Sequence, residues 1–456
     1  MKKLKALLAS MTALSCLCVS YSIFANAEYV SGCLGDVDFD FEEYKDNLTW
    51  NFDESTGTLT ISGTGAMENR SSYLFRPYYW SDIKEIIIED GVTTIGDGAF
   101  YGCESLIAIT IPDSVTTIGA SAFYRCESLI AITIPDSVTT IGESAFYGCE
   151  SLIAITIPDS VTTIGRRAFW GCNSLESVTI PESVTTIGEY AFYKLVCPIN
   201  VDENNPNYYS QEGILFSKEK SELIYFPYFD NVVEYTIPYG VTSIGEYAFG
   251  ERYTLESIII PDSVVTIGSR AFSHCTSLTS VTVSDSVTTI GSNAFWDCIS
   301  LTSVTIPDSV TTIGDFAFGA CTSLTSITIP DSVTTIAQSA FSYCSALKSI
   351  TIENPECEIY DDTICKTTTI YGYDDSTAQA YAEKYDINFI SLGTAPEKSN
   401  TDIEILTGDA NQDGEFNLLD IIALQKWLLG TGDLPNWQAV DFNQDGMINI
   451  FDLLLA

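Results

Sequence analysis

The 456-residue sequence predicts a repeat solenoid of short parallel strands, mostly β and irregular, followed by a small α-helical domain of different chemistry. Three observations carry that reading. A phenylalanine returns every 23 residues in two blocks, at Phe100, Phe123, Phe146, Phe169 and Phe192, then at Phe249, Phe272, Phe295, Phe318 and Phe341. The run Cys-Glu-Ser-Leu-Ile-Ala-Ile-Thr-Ile-Pro-Asp-Ser-Val-Thr-Thr-Ile-Gly occurs at 103–119, 126–142 and 149–165. Beyond residue 404 this pattern gives way to acids and amides at a second fixed spacing.

The N-terminus sets the compartment. Lys2, Lys3 and Lys5 precede a largely apolar stretch from Leu7 to Phe24, and Ala25-Asn26-Ala27 offers the small-x-small pattern of a signal peptidase site. Residues 1–27 therefore read as a signal peptide, and the mature chain as secreted and extracellular from Glu28. The alternative is a lipoprotein anchored at Cys33, because Val30-Ser31-Gly32-Cys33 spells a lipobox, although Glu28 and Tyr29 separate it from the apolar run. No later stretch has the ~18 apolar residues of a membrane span. With 61 acidic against 20 basic side chains the chain carries −41, and the signal removes only lysines. A field of that sign repels phosphate backbones and anionic lipids, so no nucleic acid is expected as a partner. At 46% apolar and 18% charged, the composition fills cores and excludes a disordered acidic tail.

Within one unit, Leu106, Ile109 and Ile111 point into a core while Ala108 and Thr110 point out, the alternation of a short strand that Pro112 ends. Val115, Ile118, Ala122 and Phe123 return apolar groups from the other side, with Gly119 at a corner suited to a bare backbone. One unit cannot bury its own apolar face, and stacking does so. The motif Ile-Pro-x-x-Val-x-x-Ile-Gly-x-x-Ala-Phe-x-x-Cys-x-x-Leu resembles the BspA-like leucine-rich repeats of bacterial surface proteins over residues 83–352. Residues 28–82, with Leu48-Thr49-Trp50 and Thr56–Gly65, are similar to that family's N-terminal β-hairpin cap. Residues 193–236 break the period and resemble its inserted hairpin unit, placed to keep the solenoid continuous. Residues 353–392 read as a C-terminal cap containing a strand and a short helix, and 393–404 as a linker.

Columns follow from stacking. Cys103, Cys126, Cys149, Cys172, Cys275, Cys298, Cys321 and Cys344 share one position, and parallel side chains disfavour bonding between them, so a buried column of free thiols is expected. Cys357 and Cys365 are the better disulfide candidate, and His274, the one histidine, shows no partner. Asp113, Asp136, Asp159, Asp262, Asp308 and Asp331 mark a corner column where turn hydrogen bonding is expected, with calcium along the edge as the alternative. After the repeat phenylalanine come Tyr101, Tyr124, Tyr147, Trp170 and Tyr193, which either cover the core or form a stacking platform for a sugar chain or protein. The outward strand positions carry a bland column of threonines.

At the C-terminus, Asp409, Asn411, Asp413, Asn417 and Asp420 stand at positions 1, 3, 5, 9 and 12 of an EF-hand-like loop, with Gly414 at position 6. Asp441, Asn443, Asp445, Asn449 and Asp452 repeat the spacing, and the carbonyls of Glu415 and Met447 supply position 7. Two Ca2+ sites are expected. Paired loops of this kind, each followed by a helix as in Leu418–Leu429, resemble the type I dockerin over 405–456. The resemblance implies a cohesin domain of a scaffoldin as partner, touched by Leu418, Leu419, Ile450 and Phe451, with Gln425 and Lys426 at further contact positions. The contact pairs are apolar, unlike the Ser-Thr type, and only four residues follow Asp452, which reads as a shortened second helix.

The expected function is therefore that of a non-catalytic, cellulosome-associated or cell-surface component. Its solenoid binds a protein, cell-surface or polysaccharide ligand and its dockerin supplies attachment. The alternative is a dockerin-bearing polysaccharide hydrolase or other enzyme with a cryptic active site in the solenoid.

Overall fold

A computed structural model describes residues 29–33, 47–67, 80–229 and 232–396. The signal segment and the calcium domain with all of its expected ligands lie outside the described residues. The chain divides into two units, Met1–Gly393 and Thr394–Ala456, and nearly all described residues belong to the first.

Each coil contributes two short strands. In the coil of Phe123 they are Ala108–Thr110 and Thr117–Ile118, the first burying Ile109 and exposing Thr110 as period-two alternation requires. Both strands stack in parallel on the same residues of the next coil, as in Ala108 on Ala131 and Thr117 on Thr140. The corner between them is closed by a bond from Val115 N to Pro112 O at 3.1 Å. Its side-chain bonding comes from serine rather than from the expected aspartate: Ser114 Oγ donates to Val92 O at 2.7 Å, one coil back, and Ser160 and Ser332 repeat the bond. The aspartates of the corner are left exposed.

The third side of the coil is built without strands. Ser121 and Arg125 adopt left-handed backbone, φ 55° and 57°, although neither is glycine. That conformation costs about 1–2 kcal/mol per residue. It turns alternate N–H groups along the solenoid axis, where Ser121, Phe123 and Arg125 donate to Glu143 O, Ala145 O and Tyr147 O at 2.6–2.7 Å. The Ile-Gly corner has another cause. At Gly142 a Cβ would stand 2.5 Å from the carbonyl carbon of Gly119, so glycine permits close approach of successive backbones.

The core is a file of rings. Phe123, Phe146 and Phe169 are fully buried and stack at 5.3 and 5.5 Å, nearly parallel. The cysteines beside them are free and buried. Their thiols donate to phenylalanine carbonyls of the preceding coil, as in Cys149 Sγ to Phe123 O at 3.2 Å and Cys298 Sγ to Phe272 O at 3.2 Å. Cys357 and Cys365 are also free, which corrects the expected disulfide. Cys365 Sγ is directed to Phe341 O and Cys357 Sγ to Glu358 O, so the two sulfurs serve different acceptors.

Before the first coil, Tyr29–Cys33, Leu48–Asp53 and Thr58–Gly63 pair antiparallel, and the last of them starts the parallel ladder against Glu85–Ile88. At the far end, Thr369–Asp374 pairs with Ser349–Ile352. The helix Thr377–Tyr385, N-capped by Ser376, buries Ala378, Tyr381 and Ala382 over the last coils. Between the blocks, Tyr208–Gln211, Ile214–Ser217 and Glu222–Tyr225 form an antiparallel meander whose last strand pairs in parallel with Ser243–Ile244. The break in period is therefore shorter than the sequence implies: Phe226 lies 23 residues before Phe249 and stacks on it at 4.9 Å.

Candidate binding surfaces of the solenoid

The aromatic column forms a continuous ladder. Tyr101, Tyr124 and Tyr147 stack at 4.6 and 4.5 Å within 7° of parallel, Trp170 follows at 5.6 Å, and Tyr193 lies 4.3 Å beyond it. Ring faces that stack on one another are not open to a ligand, so what Tyr101, Tyr124, Tyr147 and Trp170 present at half-buried positions is their edges and polar atoms. Tyr193, at 2% exposure, is a core residue and no part of an accessible platform. Burial raises the Tyr124 phenol above its ordinary value, with the neighbouring Tyr147 acting in the same direction.

Positive charge gathers beside this ladder. The Arg167 guanidinium lies 5.4 Å over Trp170 and 5.7 Å over Tyr190, with its Nε buried and unpartnered. Arg166 pairs loosely with Glu189 at 3.5 Å and Glu143 at 3.8 Å. Across the insert, Tyr190 donates to Glu246, Tyr193 meets Tyr247 edge-on at 4.8 Å, and Lys194 pairs with Glu251 at 3.2 Å. The two repeat blocks thus make direct side-chain contact on this side.

Two further features follow from the 23-residue step, which the sequence reading did not apply to them. His274 does have a partner, Asp297 Oδ2 at 2.9 Å from its Nδ1, one coil further on. Arg252 occupies the cysteine position one coil before Cys275 and is 4% exposed. Its guanidinium lies 5.4 Å over both Tyr225 and Tyr228 and donates to the Tyr225 hydroxyl at 3.2 Å. Counting back 23 residues from Asp297 and from Cys275 finds both.

On the sheet side, Lys84, Ser105, Ser128, Ser151 and Ser174 with Ile107, Ile130 and Ile153 line a shallow open groove of about 650 Å³. Among the described residues no three potential ligands gather into a metal site, and no helix is long and apolar enough to cross a membrane.

Parallel coils of 23 residues, closed by an antiparallel cap and carrying a ring at the same repeat position inside, define a leucine-rich-repeat solenoid. The family model for the BspA type leucine-rich repeat region matches residues 71–197 and 242–371, in six copies, and the chain belongs to that family. The dockerin type I domain matches residues 407–455. The crystal structure of the pneumococcal vaccine antigen PcpA shares the fold at 22% identity, with a TM-score of 0.62 over 77% of this chain and 98% of that one. A leucine rich cell surface protein from Faecalibacterium prausnitzii A2-165 is 30% identical, with a TM-score of 0.53 over 69% of this chain and 95% of that one. No curated protein matches the chain.

Proposed function

We propose that this protein is a secreted, non-catalytic component that a dockerin attaches to a scaffoldin cohesin while the solenoid binds a protein, cell-surface or polysaccharide ligand. The dockerin match over 407–455 carries the reading, because attachment is the one task for which two calcium loops and paired apolar contact positions have a shared use. Asp409, Asn411, Asp413, Asn417 and Asp420 would hold one Ca2+, with the Glu415 carbonyl, and Asp441, Asn443, Asp445, Asn449 and Asp452 the other, with that of Met447. Hard oxygens at these spacings are the donor set calcium requires. Bound calcium cross-links each loop, so that Leu418, Leu419, Ile450, Phe451, Gln425 and Lys426 present a fixed surface to the cohesin. From Ile405 onward there are eight acidic side chains against one lysine, so folding of this segment is coupled to the metal.

The non-catalytic reading draws on the corner acids of the described residues, which stand repeated and exposed along the solenoid, one to a coil. Assays on plant polysaccharides and casein test it. Turnover that one carboxylate substitution abolishes would replace the binding reading with a hydrolytic one. Attachment is tested by titrating the full chain with cohesins in calcium, where saturable binding is expected; failure of every cohesin class to bind would overturn it.

A further inference from the structure

Three departures from the repeat converge on one corner of the second block. The exposed corner column is acidic in successive coils, Asp113, Asp136, Asp159 and Glu182, then Asp262, Asp285, Asp308 and Asp331, but in one coil it is Tyr239, 85% exposed. The outward strand column is threonine at 110, 133, 156, 179, 236, 282, 305 and 328, but Ile259 takes that place at 56% exposure. The next outward column is threonine at 116, 139, 162, 185, 242, 288, 311 and 334, but Val265 takes it at 41%.

The three positions flank one corner on two adjacent coils. Ile259 is the register partner of Thr236, and Val265 N donates to Thr242 O at 2.8 Å. Ile259 and Val265 therefore sit one coil beyond the two residues that bracket Tyr239. The departures also run against local bonding. Thr116, Thr162, Thr288 and Thr311 each donate a hydroxyl to the carbonyl one coil back, at 3.3–3.4 Å, a bond valine cannot make. Nothing in the core asks for them, since the inward residues Ile258, Ile260 and Val264 of that coil follow the repeat. Ile87 of the first coil, the register partner of Thr110, is the other aliphatic in the strand column, but only this coil joins it to an exposed tyrosine and an exposed valine, the composition of an interface centre.

We propose that Tyr239, Ile259 and Val265 form a docking patch for a partner protein with an apolar centre and a lysine- or arginine-bearing rim. This rests on the reading of the solenoid as a binding module and specifies where and what it binds. Charge selects the occupant. Glu246 and Glu251 are paired with Arg270 and Lys194, whereas Glu234, Glu256 and Asp262 stand exposed in the coils of the patch, and Arg252, the one basic residue between 232 and 268, is buried. A second copy docked patch to patch would set Asp262 and its neighbours against their own images, whereas a cationic rim is attracted.

The test restores the repeat. In the full chain, Tyr239→Asp, Ile259→Thr and Val265→Thr give this coil the residues of its neighbours, and Asp90-Gly91 already shows aspartate before glycine at that corner. The probe is a random peptide display library, panned on the wild-type chain and counter-selected on the triple variant. The expected result is enrichment of peptides carrying aromatic or aliphatic residues flanked by lysine or arginine. Synthesised singly, they should bind the variant about tenfold more weakly by fluorescence anisotropy, a difference of about 1.4 kcal/mol. Absence of variant-sensitive peptides, or enrichment of peptides without basic residues, overturns the proposal. So does a wild-type dimer in sedimentation velocity that the triple variant abolishes, since that assigns the patch to self-association. An unchanged melting temperature confirms that the variant folds. Cohesin titration of both proteins reads the dockerin assignment separately, because the three substitutions lie far in sequence from 405–456 and should leave cohesin affinity as it is.

Discussion

Single side chains in this solenoid are fixed by what the neighbouring coil does at the same position. The thiols show it in their titration. Burial pushes Cys275 and Cys344 up to about 12 from an ordinary 9.0. An unfolded chain releases these protons near pH 9 while the folded one keeps them, so their contribution is fully present below pH 9 and is lost as pH rises toward 12. Tyr235, raised by burial to about 12, acts in the same sense. The urea midpoint should fall between pH 9 and pH 12, and Cys275→Ala should reduce part of the fall; a midpoint independent of pH in that window would contradict it. Thiol counting after denaturation without reductant should recover the described cysteines as free thiols. The aromatic ladder makes a companion prediction. Tyr147 stacks on both Tyr124 and Trp170, so Tyr147→Ala should lower stability by about 1–3 kcal/mol, at about 0.5–1.5 per lost pair, while Tyr147→Phe stays near wild type in thermal melts. Equal melting of Tyr147→Ala and wild type would show that the stack contributes nothing.

At the scale of the element, the strands were legible because period-two alternation and proline punctuation act within a few residues. The phenylalanine and thiol columns were legible because identical coils repeat one environment. The non-glycine left-handed residues were not. Ser121 and Arg125 carry no local signal for that backbone, which is held by bonds to a coil 23 residues away. For the same reason the serine of the Pro-Asp-Ser corner, not its aspartate, proved to be the bonding residue: its acceptor is the carbonyl of the preceding coil. The Tyr193 ring read as a possible platform because its column was followed without the second block, whose Tyr247 closes over it from one side as Trp170 does from the other. Close approach of coils yields the sharpest element-scale prediction. Gly142→Ala places a methyl group against the Gly119–Ala120 backbone and should cost about 1–3 kcal/mol by overpacking. Gly102→Ala, where no atom stands within 4 Å of the added carbon, should cost only the strain of its left-handed backbone. Equal large losses at both sites would refute the crowding argument.

For the molecule as a whole, the proposed function predicts two separate sources of order, repeat stacking and metal-coupled folding. The solenoid carries its own buried core from Leu48 to Ile387, and among the described residues no three potential ligands gather into a metal site. The segment from Ile405 is short and strongly acidic, and under the proposed function its folding requires calcium. A chelator should therefore leave the solenoid's thermal transition in place. Leu418→Asp with Leu419→Asp should abolish cohesin binding while calcium uptake persists, because charges would enter an apolar contact. Asp413→Ala should weaken calcium binding at the first loop. The most direct measurement is calorimetric titration of the full-length protein with a panel of cohesins, in calcium and again in chelator. The account predicts saturable binding to at least one cohesin in calcium and none in chelator, with both activities of the Leu418→Asp, Leu419→Asp protein reading as calcium uptake without cohesin heat; cohesin binding that survives chelation would contradict it.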